Sequence, residues 1–204
     1  NIISIALISL IVASCQEGDF NATVTPRPYV LETLKERAPQ ATAELHRPFD
    51  FPLYLSGNFG ELRSNHFHGG IDFKTQGTIG HPIHCADDGY VSQISVSGGG
   101  YGKAIYVVHP SIGLTTVYGH VDRFAPNIDS VVNARQYQLE TFAINMRFDE
   151  NDFPVKKGDI IAYSGNAGYS FGPHLHIEVR HTATGDAIDP LPYFKSHISS
   201  CNLR

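Results

Sequence analysis

Basic clusters are missing from this chain. Its 204 residues carry 15 lysines and arginines against 20 aspartates and glutamates, a formal net charge of -5, and the cations are scattered. A nucleic-acid binder shows a basic stripe, because neutralised phosphates supply most of its affinity, so nucleic acid is excluded as a partner. Cysteine is scarce, with 3 in all, and no Cys-x-x-Cys pair occurs, which excludes a zinc site built from paired thiolates. The apolar run Ile2 to Ala13, interrupted only by serines, falls short of the roughly 20 residues that a membrane-spanning helix needs. Helical periodicity is nearly absent from most of the chain beyond residue 50, which excludes a helical bundle.

What remains is a succession of short strands punctuated by glycine: "YVSQISVS", "KAIYVVH", "LTTVYGHV", "DIIAYSG" and "HLHIEVR". With 42% hydrophobic residues the chain can bury one sizeable core. The pattern predicts an all-β domain over 51–195, a mainly antiparallel sandwich or partly open barrel. Residues 16–50 read as a polar tether with one short helix near Val30 to Ala38, and 196–204 as a tail. Between the strands lies a mixed insertion at about 125–153, with a helix expected near Ser130 to Tyr137 and a strand near Thr141 to Arg147. Cys85, in "HPIHCADDGYV", is expected as a buried free thiol; Cys201 lies far from it in sequence.

Histidine is the abundant residue, with 11 copies, several of them grouped. In "GPHLHIEVR" Leu175, Ile177 and Val179 alternate with His174, His176, Glu178 and Arg180, so the histidines share one face of a strand and the aliphatic residues the other. In "NHFHGGIDF" His68 and Asp72 are four residues apart, but Gly69 and Gly70 between them favour a bend over a helix. Such a bend brings an imidazole and a carboxylate together before Ile71 and Phe73 enter the core. Joined by one more histidine, they make a set of three N/O ligands, the composition expected of catalytic Zn2+ with a position left for water. His120 closes "TTVYGH" at a strand end, where active-site groups are often displayed.

The set "FHGGID", "VYGH" and "GPHLHIEV" resembles the lysostaphin-type (LytM-like) zinc metallopeptidases, bacterial enzymes that cut peptide bonds in peptidoglycan, over roughly Phe51 to Phe194. The resemblance implies that His68, Asp72 and His176 hold one zinc ion, that His174 and His120 are catalytic, and that the partner is the peptidoglycan peptide stem. With no HExxH helix to supply a glutamate, His174 is expected as the general base and His120 as the stabiliser of the developing oxyanion. Asn58 and Arg63, just before the first motif, are expected to line the substrate groove; Glu178 and Arg180 are left out of the site. Two features depart from the family pattern: Phe171 stands where a small or hydroxylated residue is common, and the insertion after His120 is long. The resemblance also admits a non-catalytic scaffold that regulates another wall hydrolase, which the five retained histidine and aspartate positions count against. A carrier domain with a modified lysine, suggested by "VKKGDIIAYSG", is set aside because Lys156-Lys157-Gly158 reads as a tight turn.

Val12-Ala13-Ser14-Cys15 resembles the lipobox of bacterial lipoproteins. It implies a signal segment over 1–15, entered after its start because no initiator Met or basic stretch precedes it, and a lipid on Cys15. The expected location is the cell envelope, with the chain exported and anchored to a membrane on the periplasmic side or in the outer membrane.

Overall fold

The computed structural model describes residues 43–64 and 66–199. The expected lipidation site Cys15, the helix near Val30 to Ala38 and Cys201 lie outside them. In chain order the strands are β1 (Leu55–Gly57), β2 (Ile71–Lys74), β3 (Pro82–His84), β4 (Gly89–Val96), β5 (Lys103–His109), β6 (Leu114–Gly119) and β7 (Arg123–Phe124). After helix α1 (Pro126–Leu139) come β8 (Ile144–Arg147), β9 (Pro154–Val155), β10 (Ile160–Tyr163), β11 (His174–His181) and β12 (Ala187–Ile188), then one turn of helix, α2 (Leu191–Phe194). Among the described residues no helix is long and apolar enough to cross a membrane.

The fold is all-β, as the punctuated alternation implied. Seven strands follow the order β1-β2-β11-β6-β5-β4-β8 in one sheet, with β12 beside β11 and β9 beside β4, and a smaller sheet has the order β3-β10-β7. Every pairing between these strands is antiparallel. The main sheet is open and carries its longest strands at the centre, where Leu175, Ile177 and Val179 of β11 are fully buried beside Ile71, Phe73, Ile105 and Val107. The core reaches past the expected bounds of 51 and 195. Leu45, Phe49 and Ile198 are buried in it, and Leu53 bridges Ile198, so residues read as tether and tail are part of the packed unit.

The insertion holds the expected helix and strand, both with shifted ends. Pro126 starts α1 four residues before Ser130, since its fixed φ and missing N–H suit a first helical turn. Glu140 ends the helix in the left-handed conformation, at φ 49°, and its N–H returns to the carbonyls of Gln136 and Tyr137. The strand begins at Ile144 and pairs Ile144–Arg147 with Gln93–Val96 of β4, so the insertion extends the edge of the sheet opposite β1.

Candidate metal and catalytic centre

Three central strands build the site through their register. Asp72 of β2 faces His176 of β11, and His176 faces Gly119 of β6, so His120, the next residue, leaves β6 beside the same spot. His174 faces Lys74 two residues earlier on β11. His68 arrives from the segment before β2. Gly69 and Gly70 allow that approach, but not through a left-handed bend, since neither has a positive φ. A Cβ on Gly70 would stand 2.2 Å from the carbonyl oxygen of Ile177, so glycine there lets the chain lie against β11.

His68, Asp72 and His176 converge as the resemblance implied, and are the one group of this kind among the described residues. His68 Nε2 stands 2.9 Å from His176 Nδ1 and 3.0 Å from Asp72 Oδ1, and His176 Nδ1 stands 3.0 Å from the same oxygen. All three residues are buried, between 4% and 7% exposed.

Protons on the far side of each ring decide what this triangle is. His68 Nδ1 lies 2.7 Å from the main-chain carbonyl of Asn58, which only accepts, so Nδ1 carries the hydrogen and a neutral His68 turns a lone pair inward from Nε2. His176 Nε2 lies 2.9 Å from Glu178 Oε1, another pure acceptor, so a neutral His176 turns a lone pair inward from Nδ1. Asp72 contributes a third. Three lone pairs aimed at one point repel unless a cation sits among them. Tetrahedral N/O ligands about 2.0–2.1 Å from zinc lie about 3.3 Å apart, close to the separations observed. A proton is the alternative occupant: burial opposes charge on His176, yet bonding to Asp72 and Glu178 raises its pKa above the ordinary value. Proton and metal therefore compete for one place.

His174 and His120 stand at the edge of this triangle, their rings 4.7 Å apart. His174 Nε2 is 3.7 Å from Asp72 Oδ1, and its Nδ1 donates to the carbonyl of Gly172 at 2.9 Å. His120 Nδ1 donates to the carbonyl of Ala167 at 2.7 Å, and burial lowers its pKa to about 4, so the ring is neutral at pH 7. A neutral ring at either position thus presents Nε2 as an acceptor. His120 also has φ 60°, a conformation that a side chain with a Cβ rarely adopts. Main-chain bonds hold it there, from His120 N to Tyr101 O and from Ala167 N to His120 O.

Asn58 and Arg63, expected along the groove, contact two of the three converging residues. The Asn58 carbonyl fixes His68, and Arg63 Nη2 donates to Asp72 Oδ2 at 3.0 Å, leaving Oδ1 for the triangle. Glu178 stands directly behind a ligand. It is 1% exposed and bonded to His176, and Arg180 Nε donates to its Oε2 at 2.6 Å. Its place on the histidine face of β11 was the available signal. Tyr101, whose ring stacks on His176, gave no sequence signal. His81, His84, His109 and His197 make their hydrogen bonds with other partners, as befits residues outside the motifs.

A profile of the family described as Peptidase family M23 matches residues 66–137 and 139–190. Among curated proteins, the chain is similar to one named Uncharacterized metalloprotease from Haemophilus influenzae, at 35% identity over 153 residues, 74% of this chain and 25% of that protein. It is also similar to one named DD-carboxypeptidase/endopeptidase Mpg from Neisseria meningitidis, at 28% identity over 131 residues, 64% of this chain and 23% of the relative. The chain spans about a quarter of the length of these two relatives. Among solved structures it is similar to the catalytic domain of the antimicrobial peptidase lysostaphin from Staphylococcus simulans, with a TM-score of 0.50 and 25% identity, covering 70% of this chain and 90% of that one.

Proposed function

The chain belongs to peptidase family M23, and on that premise we propose that it is a zinc-dependent endopeptidase that hydrolyses the peptide crosslinks of peptidoglycan. The observation that carries this reading is the set of three inward lone pairs on His68 Nε2, Asp72 Oδ1 and His176 Nδ1, each fixed by a partner on its far side or by its charge. These atoms would hold Zn2+, because two neutral imidazoles and one carboxylate suit that ion and leave a position open. When bound, zinc polarises a carbonyl as a Lewis acid and lowers the pKa of a water to about 7.

The protein's own groups handle the protons. His174, with its Nδ1–H given to Gly172, takes the proton of the attacking water at Nε2 and returns it to the leaving amine. The 3.7 Å separation between its Nε2 and Asp72 Oδ1 keeps it next to the ligands, which supports the base role expected from its position on β11. His120 suits a different task from the oxyanion role expected of it. Stabilising an oxyanion needs a hydrogen on Nε2, and the neutral ring carries its hydrogen on Nδ1. His120 accordingly accepts a hydrogen bond, from the water or from a substrate N–H, and orients it.

Peptidoglycan is the substrate proposed because of the family and because relatives at the same 28% identity are named DD-carboxypeptidase/endopeptidase and glycyl-glycine endopeptidase. A lipid at Cys15 would hold the enzyme at a membrane of the cell envelope, within reach of that polymer. Digestion of purified sacculi, followed by mass analysis of the soluble fragments, tests the reading. Zinc-loaded protein should release fragments cut at the crosslinks, and a chelator should stop the release until zinc is restored. Intact sacculi after incubation with zinc-loaded protein would contradict it.

A further inference from the structure

His176 is held on two sides by residues that supply no atom to the metal triangle. The ring of Tyr101 lies against its face, at a centroid distance of 5.3 Å and an interplanar angle of 28°. At its far edge Nε2 donates to Glu178 Oε1 at 2.9 Å. The Tyr101 hydroxyl donates to that same oxygen, and Arg180 Nε donates to Oε2 at 2.6 Å, so donors from three residues converge on one carboxylate. Arg180 is tied in turn to the Gly185 carbonyl through Nη1, at 3.4 Å. A carboxylate that is 1% exposed is costly to bury, and here a guanidinium and two further donors compensate it.

The two histidine ligands differ in how their hydrogens are placed. For His68 the acceptor is a main-chain carbonyl, which any residue at position 58 would offer. For His176 it is a side chain, held by two others. A neutral imidazole chooses between two tautomers, and a hydrogen on Nδ1 of His176 would sit where the metal belongs. The carboxylate removes that choice and, being charged, makes Nδ1 a more basic ligand atom.

We propose that Glu178 is a positioning residue for the metal site, acting through His176, and that Tyr101 and Arg180 hold it in place so that Nδ1 alone faces the ion. The proposal rests on the reading of this site as a zinc site. It makes metal affinity, ahead of the chemical step, the property these three residues govern.

The test is zinc affinity, measured by competition with a chromogenic chelator on the full chain and on Glu178→Gln and Tyr101→Phe, with melting temperatures alongside. Glu178→Gln keeps the shape and loses the charge, and should weaken zinc binding about 10- to 100-fold. Tyr101→Phe keeps the stacked ring and loses one donor, and should weaken it by less. In NMR spectra of the zinc-loaded chain the His176 Nε2–H resonance should move upfield in the Gln variant, a change that a general loss of stability does not produce. A folded Gln variant that binds zinc as tightly as the parent overturns the proposal and leaves the zinc site standing. Should that variant fail to fold, an unchanged affinity in Tyr101→Phe overturns the proposal instead. A parent chain that binds no zinc overturns this inference and the metal site together.

Discussion

Asp72 of β2 and His176 of β11 lie directly opposite each other in the antiparallel register, with Asp72 Oδ1 3.0 Å from His176 Nδ1. Two of the three proposed ligands are therefore placed by main-chain pairing in the middle of the sheet, and their side chains need only short reach. A site built on strands moves little, so small disturbances beside it should register as lost metal.

Gly57 offers such a disturbance. A Cβ there would stand 2.3 Å from Asp72 Oδ2 and 2.6 Å from Arg63 Nη2, so alanine must push the carboxylate or its arginine aside. Gly57→Ala should fold yet bind zinc at least tenfold more weakly. Chelator competition measures this, and parental affinity in the variant would show that Arg63 yields without disturbing Asp72.

Metal removal should loosen the whole domain. A ligand that binds only the folded state stabilises it by about 4 kcal/mol when present at a thousand times its Kd, which for a domain of this size is about 10 °C in melting temperature. Thermal scans of metal-free protein with and without added zinc should show a rise of that order. A melting temperature indifferent to zinc would contradict the account.

The backbone at His120 separates stability from activity. Glycine tolerates φ 60° where other residues are strained, so His120→Gly should be more stable than His120→Ala by about 1 kcal/mol, while neither cleaves substrate. Urea unfolding of the two variants gives the difference, and equal midpoints would mean that the conformation carries no strain.

Acid should act on the core through His109, which is fully buried between the Asp88 carbonyl and the Thr116 hydroxyl. Burial is the main cause that holds its pKa below 6.5, outweighing the neighbouring carbonyls and aspartates. The unfolded chain then takes up this proton more readily than the folded one. The stability from a neutral His109 is complete above pH 6.5 and is lost as pH falls through the folded value. In metal-free protein, the drop in urea midpoint from pH 7.5 to pH 5.5 should be smaller for His109→Gln than for the parent. Equal drops would contradict the assignment.

The sequence made the elements legible where one physical signal dominated. Alternation in "HLHIEVR" disclosed both faces of β11, and Leu175, Ile177 and Val179 are indeed fully buried. Pro126 marks the start of α1, since proline suits the first helical turn, four residues ahead of the helix that the residues after it suggest. Partners were harder to read than faces. Alternation shows that His174, His176 and Glu178 point one way, but not that Asp72 faces His176, because register depends on pairing between strands about a hundred residues apart. The supporting shell was the least legible. Asn58 acts through a carbonyl that every residue has, and Tyr101 reaches His176 only because the turn between β4 and β5 folds back over β11. Glu178 reads equally as half of a surface pair or as support behind a ligand, because burial is not written in a single strand.

Zinc content per chain, measured by elemental analysis after purification and dialysis, tests the central claim most directly. The parent and His174→Ala should each retain one zinc ion, and His68→Ala and His176→Ala should retain essentially none. Equal zinc in all four proteins, or loss from His174→Ala with retention in His68→Ala, would contradict the assignment of ligands on which the account stands.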